Sequence, residues 1–145
     1  MIFLCSAPTE LGPVDAAAFA HMVTDAYADA EFETREDGAT RIARDQAGSL
    51  FYHDCDEETR RWAVERLRWQ GPRPLADPSP LSSWPECAMH MIVATDDRVV
   101  RPAWLIEQAP RWLGDAEPIL VPGGHSPMLS RPVALADAIE SCLAR

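Results

Sequence analysis

Two short apolar runs, Met89-His90-Met91-Ile92-Val93-Ala94 and Pro118-Ile119-Leu120-Val121, are each followed by a segment of helical periodicity. No other feature of the sequence narrows the fold as much. The first such segment opens at Pro102 and places Leu105, Ala109, Trp112 and Leu113 on one face. The second opens at Pro132 and carries Leu135, Ala136, Ile139, Cys142 and Leu143. Proline suits a first helical position, where its missing N–H would have no partner in any case. The apolar runs read as short strands. Residues 86–145 therefore read strand, helix, strand, helix, which requires parallel strands joined by crossovers and an α/β architecture. Just before them, five prolines (Pro72, Pro74, Pro78, Pro80, Pro85) exclude a regular element and make residues 71–85 a connector.

The first half of the chain has a different rhythm. Ile2 to Cys5 is a continuous apolar run bounded by Pro8 and Gly12, as expected of a third short strand. Phe19, Met22, Val23, Ala26 and Tyr27 recur at three- and four-residue spacing and predict one amphipathic helix over about 14–29. His21 falls off that stripe, so it is expected in solvent. Phe32 to Arg35 and Thr40 to Ile42 flank Asp37-Gly38, a strong hairpin signal. A short helical patch follows from Gln46 to Tyr52. A second helix then carries Trp62, Ala63, Val64 and Leu67. Asp54 and Glu57 ahead of it have capping-box spacing, and the neighbouring acids suit the positive end of a helix. His53 and Cys55 among those acids could belong to a metal cluster, but no second cluster completes a ligand set, so capping is the expected role.

At 145 residues the chain is long enough for one domain, and its 47% hydrophobic and 25% charged residues are those of an ordinary globular protein. The net charge of −10 argues against nucleic acid as a partner. The apolar opening lacks a basic leader and is broken by Pro8, so neither a signal peptide nor a membrane span is expected. Cys5, Cys55, Cys87 and Cys142 lie 50, 32 and 55 residues apart, a pattern of neither a zinc site nor a disulfide scaffold. They are expected to be reduced thiols in a cytoplasmic protein, with no metal and no cofactor.

In an open parallel sheet, functional groups gather beyond the carboxyl ends of the strands. Two loops qualify, Thr95-Asp96-Asp97-Arg98-Val99-Val100-Arg101 and Pro122-Gly123-Gly124-His125-Ser126-Pro127. An acid at one strand end and a histidine at the next, 28 residues on across one crossover, can bring a carboxylate beside an imidazole. That is the orienting half of a nucleophile–base–acid device. Gly123-Gly124 would let the loop turn sharply and approach a neighbouring backbone. His90, mid-strand, is expected in the core.

These loops resemble the acid and histidine loops of the α/β-hydrolases, most closely the branch of plant-type methylesterases and hydroxynitrile lyases with their bacterial relatives. The carrying residues are Asp97-Arg98-Val99-Val100 after one strand and Gly123-Gly124-His125-Ser126-Pro127-Met128-Leu129-Ser130-Arg131-Pro132 after the next. Ile2 to Ala7 is similar to the sixth sheet strand of that fold, and Leu50 to Asp56 to a run in its cap. The resemblance implies a core strand in residues 1–11, a mostly helical cap with a small β-hairpin over 12–84, and the C-terminal core, about three parallel strands in all, completed by 86–145. It implies that Asp97 is the triad acid, with Asp96 as the alternative, and that His125 is the general base. Trp62, Trp69, Phe51 and Tyr52 become candidates for core or pocket walls, core being the safer assignment.

The departure from the family is as informative. Its serine sits in a G-x-S-x-G elbow after the fifth strand. The seven glycines here, at 12, 38, 48, 71, 114, 123 and 124, frame no serine in that way. The resemblance therefore implies the C-terminal half of such a fold, with no nucleophile of its own. Cys5 lies near a strand end, but on a strand beyond the elbow, and Ser126 follows the histidine too closely to face its ring. Ester hydrolysis is favoured over cyanohydrin cleavage, because the lysine that follows the histidine in the latter is here Ser126. The expected partners are a small-molecule ester, once an N-terminal half completes the site, and a second chain along the edge of strand 2–5. By itself the chain is expected to be inactive. A non-catalytic interaction or assembly module that keeps the fold is the alternative.

Overall fold

The computed structural model describes residues 1–12, 15–73 and 77–143. β1 (Ile2–Leu4) is followed by α1 (Ala16–Met22) and α2 (Asp25–Ala28), the hairpin of β2 (Phe32–Thr34) and β3 (Thr40–Ile42), α3 (Arg44–Phe51) and α4 (Glu57–Glu65). The C-terminal part runs β4 (His90–Ala94), α5 (Pro102–Leu113), β5 (Ile119–Val121), α6 (Pro127–Ser130) and α7 (Pro132–Leu143). β1 and β5 both lie parallel to β4 in the order β1-β4-β5, with Phe3 opposite Met91 and Val93 opposite Leu120. The expected three-stranded parallel sheet is present, as is the hairpin, in which Phe32 opposes Ile42 and Gly38 turns at φ +79°.

The alternation of β4 divides the core. Met91 and Val93 point to one face, where Leu105 and Ala109 of α5 meet Val99, Val100, Ile42, Ala47 and Leu50. The segment expected as a cap thus contributes side chains to the same apolar cluster as the sheet. Ile92 and Ala94 point to the other face, against Val121, Cys5 and the Leu135, Ala138 and Cys142 stripe of α7. Full burial of a side chain such as Ile92 or Leu105 is worth about 2 kcal/mol.

Several sequence expectations are corrected. The helix expected over 14–29, whose residue 14 lies outside the described residues, is broken in two. The break lies at Val23-Thr24 because the backbone there bonds outward: the Thr24 N–H donates to the Val99 carbonyl and Val23 bridges Val100, while the Thr24 hydroxyl oxygen accepts the Tyr27 N–H to start α2. Asp54 is not the cap of α4. Asp56 is, accepting the Thr59 N–H at 2.8 Å. His90 begins β4 half-buried instead of sitting in the core. On α7 the buried stripe runs through Leu135, Ala138 and Cys142, leaving Ala136 exposed and Leu143 79% exposed, because the helix covers the sheet along a single narrow line. Trp62 is 49% exposed beneath the Arg66 guanidinium, and is therefore not core. Trp69 is half-buried against Arg41, and Phe51 and Tyr52 are half-buried. Of the proline-rich connector, Pro74 lies outside the described residues. Trp84 within it packs edge-on against both Phe3 and Trp112.

Candidate active site

The acid loop leaves β4 fastened on two sides. Thr95 and Asp96 donate backbone N–H bonds to the Val121 and Gly123 carbonyls at 2.9 and 3.0 Å, which ties it to the histidine loop. From the other side, the Arg101 and Thr24 amides bond the Met22 and Val99 carbonyls, each at 2.9 Å, seating the break between α1 and α2 on residues 99–101. Between these ties lies Asp97, its side chain wholly buried. Its Oδ1 accepts the Val99 and Val100 N–H groups at 2.7 and 3.1 Å. Its Oδ2 faces His125 Nδ1 at 2.8 Å. A carboxylate in that position selects the tautomer with the proton on Nδ1 and leaves Nε2 able to accept. Asp96 is exposed, and its carboxylate accepts the Thr95 hydroxyl at 3.4 Å.

The histidine loop leaves β5 through Gly123, at φ +109°, and Gly124. Both glycines are required by what lies against them. A Cβ on Gly123 would fall 2.5 Å from Asp54 Oδ2, and one on Gly124 would fall 2.5 Å from His53 Cε1. The Gly124 N–H donates to Asp54 Oδ2 at 3.0 Å. Phe51, from the same α3–α4 corner, lies 5.8 Å from the His125 ring. The His125 side chain is 26% exposed, and Ser126 is buried at the start of α6. Sequence reasoning named Phe51 only as a core or pocket-wall candidate and gave Asp54 a capping role, missing that both face the histidine loop. The paired glycines signalled that something approaches the loop closely, but nothing in the sequence said what.

The sequence pattern of the Alpha/beta hydrolase family matches residues 2–138. The chain belongs to that family. None of the curated proteins compared matches this α/β-hydrolase. Its fold is similar to that of a pyrethroid hydrolase, PytH, solved with BIF, at a TM-score of 0.70 and 20% identity over 97% of this chain. The α/β-hydrolase chain spans 58% of the length of that protein.

The structure brings one further sequence candidate to the pair. Cys5 closes β1 at φ +48°, an unusual conformation for a side-chain-bearing residue. Its Sγ, a carboxylate oxygen of Asp97 and a ring nitrogen of His125 lie within 4.8 Å of one another, the one such grouping of potential metal ligands among the described residues. Burial, with the Asp97 charge, pushes the thiol up to about 12, the opposite of what an activated nucleophile or a ready metal ligand needs. Asp97 and His125 are already committed to each other. The four α/β-hydrolase cysteines are free thiols; Cys5 and Cys142 are buried, whereas Cys87 is exposed. Among the described residues no helix is long and apolar enough to cross a membrane.

Proposed function

We propose that the chain forms the acid–base half of an esterase-type α/β-hydrolase site, in which Asp97 orients His125 and His125 is general base to a serine outside these 145 residues. The observation that carries this reading is the 2.8 Å contact between the buried Asp97 Oδ2 and His125 Nδ1 at the ends of adjacent parallel strands. With Nδ1 so held, Nε2 takes the proton of the attacking hydroxyl as its oxygen bonds to the ester carbonyl. The same proton then passes to the departing alcohol as the tetrahedral intermediate collapses. The oxyanion donors lie with the serine. A missing elbow is consistent with a chain that spans 58% of its structural neighbour, and a strand beside β1 is where the remainder would join the sheet. The neighbour's description as a hydrolase and Ser126 in place of a lysine after the histidine both favour ester hydrolysis, in the methylesterase-like branch.

The test compares aryl-ester hydrolysis by the chain alone and by the chain joined to a segment encoding G-x-S-x-G from the DNA upstream. The chain alone is expected at background, since each missing device is worth ~10²–10³-fold in such enzymes. The completed protein is expected to turn over ester and to lose that activity with His125→Ala. Turnover by the chain alone that His125→Ala abolishes would assign the nucleophile to Cys5 or another group within it. No activity in the completed protein would favour the non-catalytic module, and activity that survives His125→Ala would remove His125 from the general-base role.

A further inference from the structure

We infer that Asp54 is a positioning residue for His125, clamping the histidine loop by its backbone while Asp97 holds the ring. The inference rests on His125 being the base of the site, and it deepens that reading. The Asp54 side chain is only 10% exposed, and its Oδ2 accepts the Gly124 N–H, the amide of the residue before His125. The other carboxylate oxygen and His53 Nδ1 are buried without hydrogen-bond partners among the described residues. Both lie 2.9 Å from where a Gly124 Cβ would stand, so this corner is pressed against the Gly124 α-carbon. Buried polar atoms are rarely left unpaired. Here the corner forgoes two hydrogen bonds and keeps its contact with the loop.

The surroundings keep the clamp charged. Burial alone raises the Asp54 carboxyl, but the Ser130 hydroxyl, the Gly124 N–H and His53 outweigh it and hold the group below the usual carboxylate range. The Arg131 guanidinium adds a cation 3.8 Å away. A hydrogen bond to an ionised carboxylate is among the stronger kinds. Because Gly123 and Gly124 have no side chains with which to brace the loop, its geometry depends on what grips the backbone from outside. Phe51, three residues before Asp54, packs against the imidazole itself, so one corner of the chain addresses both the loop and the ring.

The experiment is nuclear magnetic resonance on the chain as it stands. Asp54→Ala is expected to speed Gly124 amide exchange roughly tenfold beyond any global loss of stability, as removal of one charge-assisted hydrogen bond should. It should also move the His125 Nδ1 proton away from its carboxylate-bonded position. Asp54→Asn, whose side-chain oxygen still accepts but carries no charge, is expected to restore both signals in part. The inference is overturned if Asp54→Ala leaves the His125 signal where it is in the native chain, or if Asp54→Asn behaves like Asp54→Ala. If Asp54→Ala does not fold, the native chain decides: slow Gly124 exchange supports the clamp, and exchange as fast as an exposed loop amide rejects it. None of these measurements involves ester turnover, so an inert His125 in a completed enzyme would defeat the proposed function and leave the clamp intact.

Discussion

Asp97 carries more of the local structure than its catalytic reading alone requires. Its two oxygens serve three donors, the Val99 and Val100 amides and the His125 ring. Asp97→Ala strands two amides in a buried loop and is expected to cost about 2–4 kcal/mol in urea unfolding, each unsatisfied group costing ~1–3 kcal/mol. Asp97→Asn keeps an acceptor for the amides and should cost less, while turning an NH₂ toward His125. Cys5 gives a pH signature. Its thiol is protonated up to about 12 in the fold but only to the usual 9.0 when exposed. Above pH 9 the unfolded chain therefore releases a proton that the folded one retains, and stability falls as pH rises toward 12, by up to ~1.4 kcal/mol per unit. Cys5→Ser is expected to flatten that decline relative to the native chain. At pH 8, iodoacetamide should label exposed Cys87 well before Cys5. The pairing of Asp97 with His125 was legible from the sequence because two strand ends and one crossover bring them together. Asp54 was not, because the capping spacing to Glu57 offered it a local partner, whereas its actual partner is 70 residues away.

Elements governed by local chemistry were the readable ones. Asp37-Gly38 turns the hairpin because glycine accepts φ +79° there, and Pro102 and Pro132 open their helices as expected. The break between α1 and α2 was hidden, since Phe19, Met22, Val23, Ala26 and Tyr27 satisfy a single stripe whether or not the helix is continuous. What breaks it is tertiary: the Val99 and Arg98 carbonyls accept from the Thr24 backbone N–H and hydroxyl. Thr24→Ala removes the cap of α2 together with the hydroxyl bond to the Arg98 carbonyl, and should cost about 1–2 kcal/mol by thermal or urea unfolding. Because that hydroxyl also anchors the acid loop, amide exchange at Val99 and Val100 should rise more than exchange in α7.

The sheet has three strands, and among the described residues β1 pairs only with β4. Its other edge presents half-buried Ile2, Phe3 and Leu4, an invitation to pair with another strand. The charge of −10 opposes association weakly at physiological salt, where screening acts within ~8 Å. Light scattering at micromolar concentration is expected to show a mass that grows with concentration; a constant single-chain mass would mean that the edge is blocked from within. The register Ile2 to His90 also sets an order of events in the cell, since β1 leaves the ribosome 88 residues ahead of the strand it pairs with. At ~5–20 residues per second that interval is roughly 4–18 s. For that time an apolar strand stands at the surface without its partner, within reach of chaperones, of a second nascent chain, or of any strand made before it.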